Sequence, residues 1–152
     1  MKRGQFFQES IYTEVQINAS AARVWSIIID FDKYASWNIP LLISGKCVIG
    51  EKLMVQANIP NIKPTVFTGR LLVCQEMEML KWTGFTIVPA LLTGIHTFEI
   101  IPINDNQVMF INRESFSGVS VPFLRKNLLR IKSKNLHTET NLVIKRISET
   151  LI

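Results

Sequence analysis

Among the 152 residues, His96 and Glu114 form an imidazole–carboxylate pair that strand alternation brings face to face. They lie in two alternating segments, Gly94–Ile101 and Gln107–Phe116, joined across Pro102–Asn106. A hairpin turning at Asp105 sets His96 opposite Glu114, Phe98 opposite Asn112 and Ile100 opposite Phe110. Phe98, Ile100, Val108, Phe110 and Phe116 share that face, whereas Thr97, Glu99 and Arg113 take the other, which suits solvent. His96, Glu114 and Asn112 are therefore expected to point inward, where a charge needs a partner. An imidazole changes charge near neutral pH, so the pair suits a general acid/base. It equally suits a polar anchor for a ligand's hydroxyl or carbonyl. The plain alternative is a satisfied core pair that stabilises the hairpin. Between the functional roles the anchor is preferred, because catalysis needs a further positioned group and the sequence places none.

Other residues extend the candidate site. Trp82 is in phase with Leu80 and is expected to face the same interior. Trp37 is expected to close it from one side, with Trp25 filling core. The segment from Ser120 changes period from two to about 3.6, which predicts one long helix. Ser120 is its expected N-cap, and Pro122 fits the first turn. Leu124, Leu128, Ile131, Asn135, Thr138 and Leu142 form its expected inner stripe, with Leu129, Leu136, Val143 and Ile147 beside it. Asn135 interrupts that stripe and is a candidate partner for a ligand or buried water. Lys126, Arg130, Lys134, His137 and Asn141 are assigned to the opposite face. The candidate ligand-binding set is thus Trp37, Trp82, His96, Phe98, Phe110, Asn112, Glu114, Phe116, Leu128, Ile131 and Asn135. His96 and Glu114 are the candidates for any catalytic role.

Several chemistries lack their motifs. The glycines form neither a P-loop nor a dinucleotide fingerprint, and there is no GxSxG elbow or HExxH. His96 and His137 are assigned to different elements, so no metal site and no cofactor is expected. Cys47 and Cys74 belong to no CxxC pair and read as reduced, buried thiols.

The remaining chain must position these groups. Ile11–Ile17 alternates and predicts a strand. Ser20 caps a short helix from Ala21 to about Ile29, with Val24, Trp25 and Ile28 on one face. Phe31–Trp37 predicts a second short helix ending at Asn38-Ile39-Pro40. Leu42–Val48, Lys52–Ile59, Val66–Cys74 and Glu78–Phe85 predict further strands, and Thr86–Thr93 a loop. Short connections argue for antiparallel pairing, and one sheet with one long helix makes an α+β layer architecture.

Composition agrees with a single domain spanning 1–152. Hydrophobic residues are 47% and charged residues 19%, which suits a packed globule. The net charge of +5 lies wholly beyond residue 119, since the preceding segment holds ten basic and ten acidic side chains. No aromatic residues interleave the late basic ones, so a solvated helix face is preferred to a nucleic-acid surface. No apolar run reaches signal-peptide or membrane-spanning length, and a cytoplasmic location is expected. Stable membrane insertion is not expected; transient membrane contact stays open.

The chain resembles the helix-grip superfamily of START-like, SRPBCC and polyketide cyclase/dehydrase proteins. The resemblance is carried by Ala22-Arg23-Val24-Trp25, by Tyr34-Ala35-Ser36-Trp37-Asn38-Ile39-Pro40 and by Leu80-Lys81-Trp82-Thr83-Gly84. It continues through Gly94-Ile95-His96-Thr97-Phe98 and Asn112-Arg113-Glu114-Ser115-Phe116-Ser117-Gly118. It implies a curved seven-stranded antiparallel sheet gripping a long C-terminal helix around an apolar cavity, with two short helices after the first strand. It implies no single activity, because such folds host carriers, receptors, cyclases and co-chaperones. The expected function is binding of an apolar or amphipathic small molecule (lipid, polyketide or aromatic) for sequestration or transfer. Loops Ile59–Pro64 and Thr86–Thr93 would gate it. A cyclase/dehydratase-like enzyme using His96 and Glu114 is the alternative, and a co-chaperone-like interaction module the third.

Overall fold

The computed structural model describes residues 7–58, 61, 63–85, 91–126 and 133–150. The elements run β1 (Gln8–Ile17), α1 (Ala21–Ile28), a single 3-10 turn (Phe31–Lys33), β2 (Leu41–Ser44), β3 (Lys52–Ala57) and β4 (Thr65–Gln75). They continue with β5 (Met79–Phe85), β6 (Thr93–Asn104), β7 (Gln107–Ser117), α2 (Val121–Leu124) and α3 (Ser133–Glu149). The strands make one seven-stranded sheet in the order β1-β7-β6-β5-β4-β3-β2. Every neighbouring pair is antiparallel. β1 and β2 are the edges, and the remaining strands follow one another as a meander. This is the helix-grip architecture the sequence leads one to expect.

Alternation explains which side is covered. Ile11, Ile17, Leu41, Ile43, Leu53, Val55, Leu71, Leu80, Trp82, Phe98, Ile100, Val108 and Phe110 are all buried on the inner face. α1 docks there through Val24, Trp25, Ile27 and Ile28, and Ser20 caps it by accepting the Arg23 N–H at 3.2 Å. α3 lies along β1 and also touches α1. Arg23 donates to the Ile147 carbonyl, and Lys145 donates to the Gln16 carbonyl, so charge-assisted bonds pin the C-terminal part of α3 to α1 and to β1. Glu99 and Arg113 pair on the outer face at 2.7 Å, as solvent-facing groups do, but Thr97, opposite Arg113 in the register, is 5% exposed rather than open.

Four local expectations change. The second short helix is one 3-10 turn, because Asn38 enters the left-handed region at φ 58° and the chain closes with Ile39 N–H on the Tyr34 carbonyl. β2 stops at Ser44, because Gly45 turns at φ 135°, where a Cβ would meet Leu53 at 2.7 Å. β3 ends at Ala57, and Ile59 lies outside the described residues. Ser120 precedes α2 without capping it; its hydroxyl donates to the Leu91 carbonyl at 2.6 Å.

Candidate functional site

The β6–β7 register is the one alternation predicts. His96 pairs with Glu114, Phe98 with Asn112 and Ile100 with Phe110. Across the other edge of β6, Trp82 pairs with His96, and β1 sets Thr13 against Asn112. Four strands, β1, β5, β6 and β7, therefore deliver His96, Asn112, Glu114, Trp82 and Thr13 to one patch of the inner face. α3 closes the patch from above with His137 and Asn141, which are four residues apart and so share a helix face.

Each imidazole is held in a defined pose. Trp82 stacks on His96 with ring centroids 4.4 Å apart and planes 12° from parallel. Phe98 meets both rings edge-on at 5.1 Å. The Nε2 of His96 lies 2.7 Å from Asn112 Oδ1. Asn112 Nδ2 donates to Asn141 Oδ1 at 2.9 Å, and Asn141 Nδ2 donates to Thr13 Oγ1 at 3.0 Å. Thr13 spends its hydroxyl proton on the Asn112 carbonyl at 3.1 Å. This chain assigns the protons. Thr13 must accept from Asn141, Asn141 must accept from Asn112, and Asn112 Oδ1 is left facing His96. His96 therefore carries its proton on Nε2 and donates it.

The other nitrogen of His96 faces a carboxylate. Nδ1 stands 3.6 Å from Glu114 Oε2, and His137 Nε2 donates to the same oxygen at 2.8 Å. The two imidazole centroids are 4.7 Å apart. Burial drives the His96 ring down to about 4, against the upward pull of Glu114, so the ring is neutral at neutral pH. Burial pushes the Glu114 carboxyl up, but His96 and the hydrogen bond from His137 outweigh it, and the net direction is below the ordinary carboxylate value. Glu114 is thus an anion that accepts a hydrogen bond from His137. Its Oε1 accepts no hydrogen bond among the described residues, and its side chain keeps 20% exposure. Gly94 lies beside that oxygen: a Cβ there would come to 3.1 Å from Oε1. The patch is an arrangement of one open carboxylate oxygen backed by two oriented imidazoles in an aromatic wall.

The candidate residues fall into three groups. Trp82, His96, Phe98, Phe110 and Asn112 are buried together around the patch, and Glu114 opens from it. Phe116 belongs to a second buried cluster with Ile11 and Val121, flanked by Leu92 and Leu124. Trp37 is half-buried at the far rim of the core, where its carbonyl accepts from Arg146. Leu128 and Ile131 lie outside the described residues. Asn135 is exposed, and the expected inner stripe fails with it: Thr138 is exposed and Leu142 is 54% exposed. The inner face of α3 is instead His137, Thr140, Asn141, Ile144 and Ser148, all buried. His137 and Asn141, assigned to the outer face from sequence, are central. The hydrophobic stripe misplaced the phase because the sheet offers this helix polar partners. Thr13 gave a signal, since it shares its strand face with Ile11, Val15 and Ile17. The two histidines that lie on different elements are adjacent in space.

A separate groove of about 280 Å³ runs along β1, lined by Glu9, Ser10, Ile11, Tyr12 and Lys134. It does not include the His96–Glu114–His137 cluster. Among the described residues no helix is long and apolar enough to cross a membrane.

No protein-family model matches the chain, and no curated protein matches it. Solved structures do. Truncated norcoclaurine synthase from Thalictrum flavum superposes with a TM-score of 0.75 at 12% identity, covering 100% of both chains. The same enzyme in complex with dopamine and hydroxybenzaldehyde gives 0.71 at 14% identity, over 97% of this chain and 92% of that one. The Zhui aromatase/cyclase from Streptomyces sp. R1128 gives 0.61 at 12% identity, over 93% and 87%. At such identities the likeness is one of fold, and the chain carries a helix-grip fold, a seven-stranded antiparallel sheet packed against a C-terminal helix.

Proposed function

We propose that this chain binds a small amphipathic or aromatic molecule whose hydroxyl or amine donates to Glu114. The observation that carries the reading is the open Oε1 of Glu114: an anionic acceptor whose other oxygen is held by His137, with Gly94 leaving room beside it. Specificity in apolar sites comes from a few such fixed polar groups. The surroundings suit a greasy body. Phe116, Leu92 and Leu124 flank the same end of the hairpin, and Leu91, Val119 and Phe123 are exposed there, Phe123 at 88%. The fold supports the class of ligand, since one structure of this shape holds dopamine and hydroxybenzaldehyde.

His137 favours a second reading, an enzyme of the cyclase or dehydratase kind. It supplies the further positioned group that a proton-transfer site needs, within hydrogen-bond distance of Glu114. Glu114 would take a proton from substrate, leaving the negative charge on the substrate, and the His137 N–H would keep the carboxyl group in position.

Native mass spectrometry of freshly purified protein tests the first reading by looking for a retained compound. Thermal shift against dopamine, hydroxybenzaldehyde and medium-chain fatty acids, in EDTA, tests it directly. A ligand at one hundred times its Kd stabilises by about 2.7 kcal/mol, which is several degrees of Tm. Glu114→Gln should lose most of that shift. No adduct and no shift with any class would overturn the reading.

A further inference from the structure

The cluster that backs Glu114 has a property that an organic anchor leaves unused. His96, Glu114 and His137 each offer one donor atom, and the three atoms lie within 4.8 Å of one another. Two imidazoles and a carboxylate are the donor types that zinc and its first-row neighbours take.

The proton assignment makes the cluster short of positive charge. His96 donates through Nε2 to Asn112, so its neutral ring turns a bare Nδ1 lone pair toward the Glu114 carboxylate at 3.6 Å. Two acceptors face each other with no hydrogen between them. His137 adds the second imidazole, and its Nδ1 is buried with no hydrogen-bond partner among the described residues. A divalent cation placed among these atoms replaces lone-pair repulsion with coordination.

The outer contacts are those of a ligating histidine. Metal-bound imidazoles nearly always donate their other N–H to a fixed oxygen, which sets the ring's orientation. His96 does this with Asn112 Oδ1, and Asn112 is itself fixed by Asn141 and Thr13. Trp82 stacked on the ring blocks rotation. Donor atoms around a tetrahedral zinc with bonds near 2.1 Å stand about 3.4 Å apart. The measured separations from Glu114 Oε2, 2.8 Å to His137 and 3.6 Å to His96, lie on either side of that value. The donor atoms of the two histidines stand within 4.8 Å of each other.

We propose that His96, Glu114 and His137 bind one divalent transition-metal ion of the zinc class, leaving at least one coordination position for water or a ligand oxygen. Both histidines bind as neutral rings, through Nδ1 of His96 and one ring nitrogen of His137, and Glu114 binds as the carboxylate. The site does not depend on the organic ligand proposed above, although a phenol or alcohol oxygen held at Glu114 would lie next to the ion.

The test uses the full chain stripped with EDTA and dialysed. Isothermal titration with Zn²⁺, and Co²⁺ titration followed by its visible absorption, should each show one equivalent per chain. His96→Gln, His137→Gln and Glu114→Gln should each weaken binding at least tenfold, with circular dichroism confirming the fold. Glu139→Gln removes an exposed carboxylate of the same helix outside the cluster and should retain binding, which separates loss of a donor from general damage. No stoichiometric binding overturns the site, and so does binding that survives His137→Gln and Glu114→Gln. Because the organic-ligand experiment runs in EDTA, a failed metal titration leaves its result standing, and the reverse holds.

Discussion

The side-chain amides of Asn112 and Asn141 meet at 2.9 Å, a bond that ties strand β7, next to the β1 edge, to helix α3. Both residues are at most 2% exposed. Asn112 also accepts from His96 and reaches toward the His137 carbonyl at 3.5 Å, while Asn141 donates to Thr13. Removing either leaves buried polar groups unpaired, at about 1–3 kcal/mol each. Asn112→Ala strands His96 and Asn141 together, so it should cost more than Asn141→Ala, which strands Asn112 and Thr13's lone pair. Urea unfolding should give losses of about 2 kcal/mol for Asn141→Ala and clearly more for Asn112→Ala. Equal, small losses would show that water replaces the network freely.

The metal-free protein should lose stability as pH falls below neutral. The His96 pKa is about 4 in the folded chain against an ordinary 6.5, so below 6.5 the unfolded chain takes up a proton that the native one refuses. The contribution is complete above pH 6.5 and fades as pH falls toward 4. A gap of that width is worth on the order of 3 kcal/mol. Glu114 works in the same direction at the acid end, because its lowered pKa is lost as protons bind the carboxylate. Urea midpoints in EDTA at several values between pH 7.5 and 4 should fall steadily, and His96→Gln should flatten the part of the slope between 6.5 and 4. An unchanged slope in that variant would falsify the assignment of His96 as the buried neutral base.

The strands and the site's first half are legible in the sequence, and the helix is not, for one physical reason. The period of two in Gly94–Ile101 and Gln107–Phe116 sets which side chains face inward, so the pairing of His96 with Glu114 follows from a turn position alone. Helix phase has to be read from hydropathy, and hydropathy assumes an apolar partner. Here the sheet presents Thr13, Asn112 and Glu114, so the buried residues of α3 are His137, Thr140, Asn141 and Ser148 with Ile144, and Leu142 is left outside. A polar stripe of that kind is invisible until its partners are known. The same error set His137 apart from His96, which concealed the cluster. The Phe31–Trp37 segment departs from the expected helix on another ground: composition does not announce the left-handed turn at Asn38.

Gly94→Ala should separate ligand binding from folding. Gly94 has no positive φ, so alanine meets no backbone strain there. Its Cβ would sit 3.1 Å from Glu114 Oε1 and about 3.5 Å from the Phe116 ring, filling the space beside the open oxygen. The unfolding midpoint should move by no more than about 1 kcal/mol, the ordinary range for a tolerated glycine change. Ligand affinity for any compound found to bind should drop at least tenfold. Undiminished affinity would place the ligand elsewhere than at Oε1.

Cys47 and Cys74 offer the last test. Their sulfurs stand 3.0 Å apart, both free and half-buried, bringing the segment between β2 and β3 against the end of β4. Burial, then the contact with Cys74, pushes the Cys47 thiol up to about 12, so it is protonated at neutral pH and attacks slowly. Proximity offsets that sluggishness once an oxidant has acted. Hydrogen peroxide oxidises one thiol to a sulfenic acid with release of water, and the second thiol displaces a second water to close the disulfide. Cross-linking a loop of this size in the unfolded chain is worth about 3.5 kcal/mol where the bond forms without strain. Peroxide treatment followed by non-reducing peptide mapping should recover the peptides carrying Cys47 and Cys74 as one species, with a raised Tm that dithiothreitol reverses. Cys74→Ser should show neither change, and separate peptides after peroxide treatment of the parent protein would mean that the backbone holds the two sulfurs out of bonding geometry.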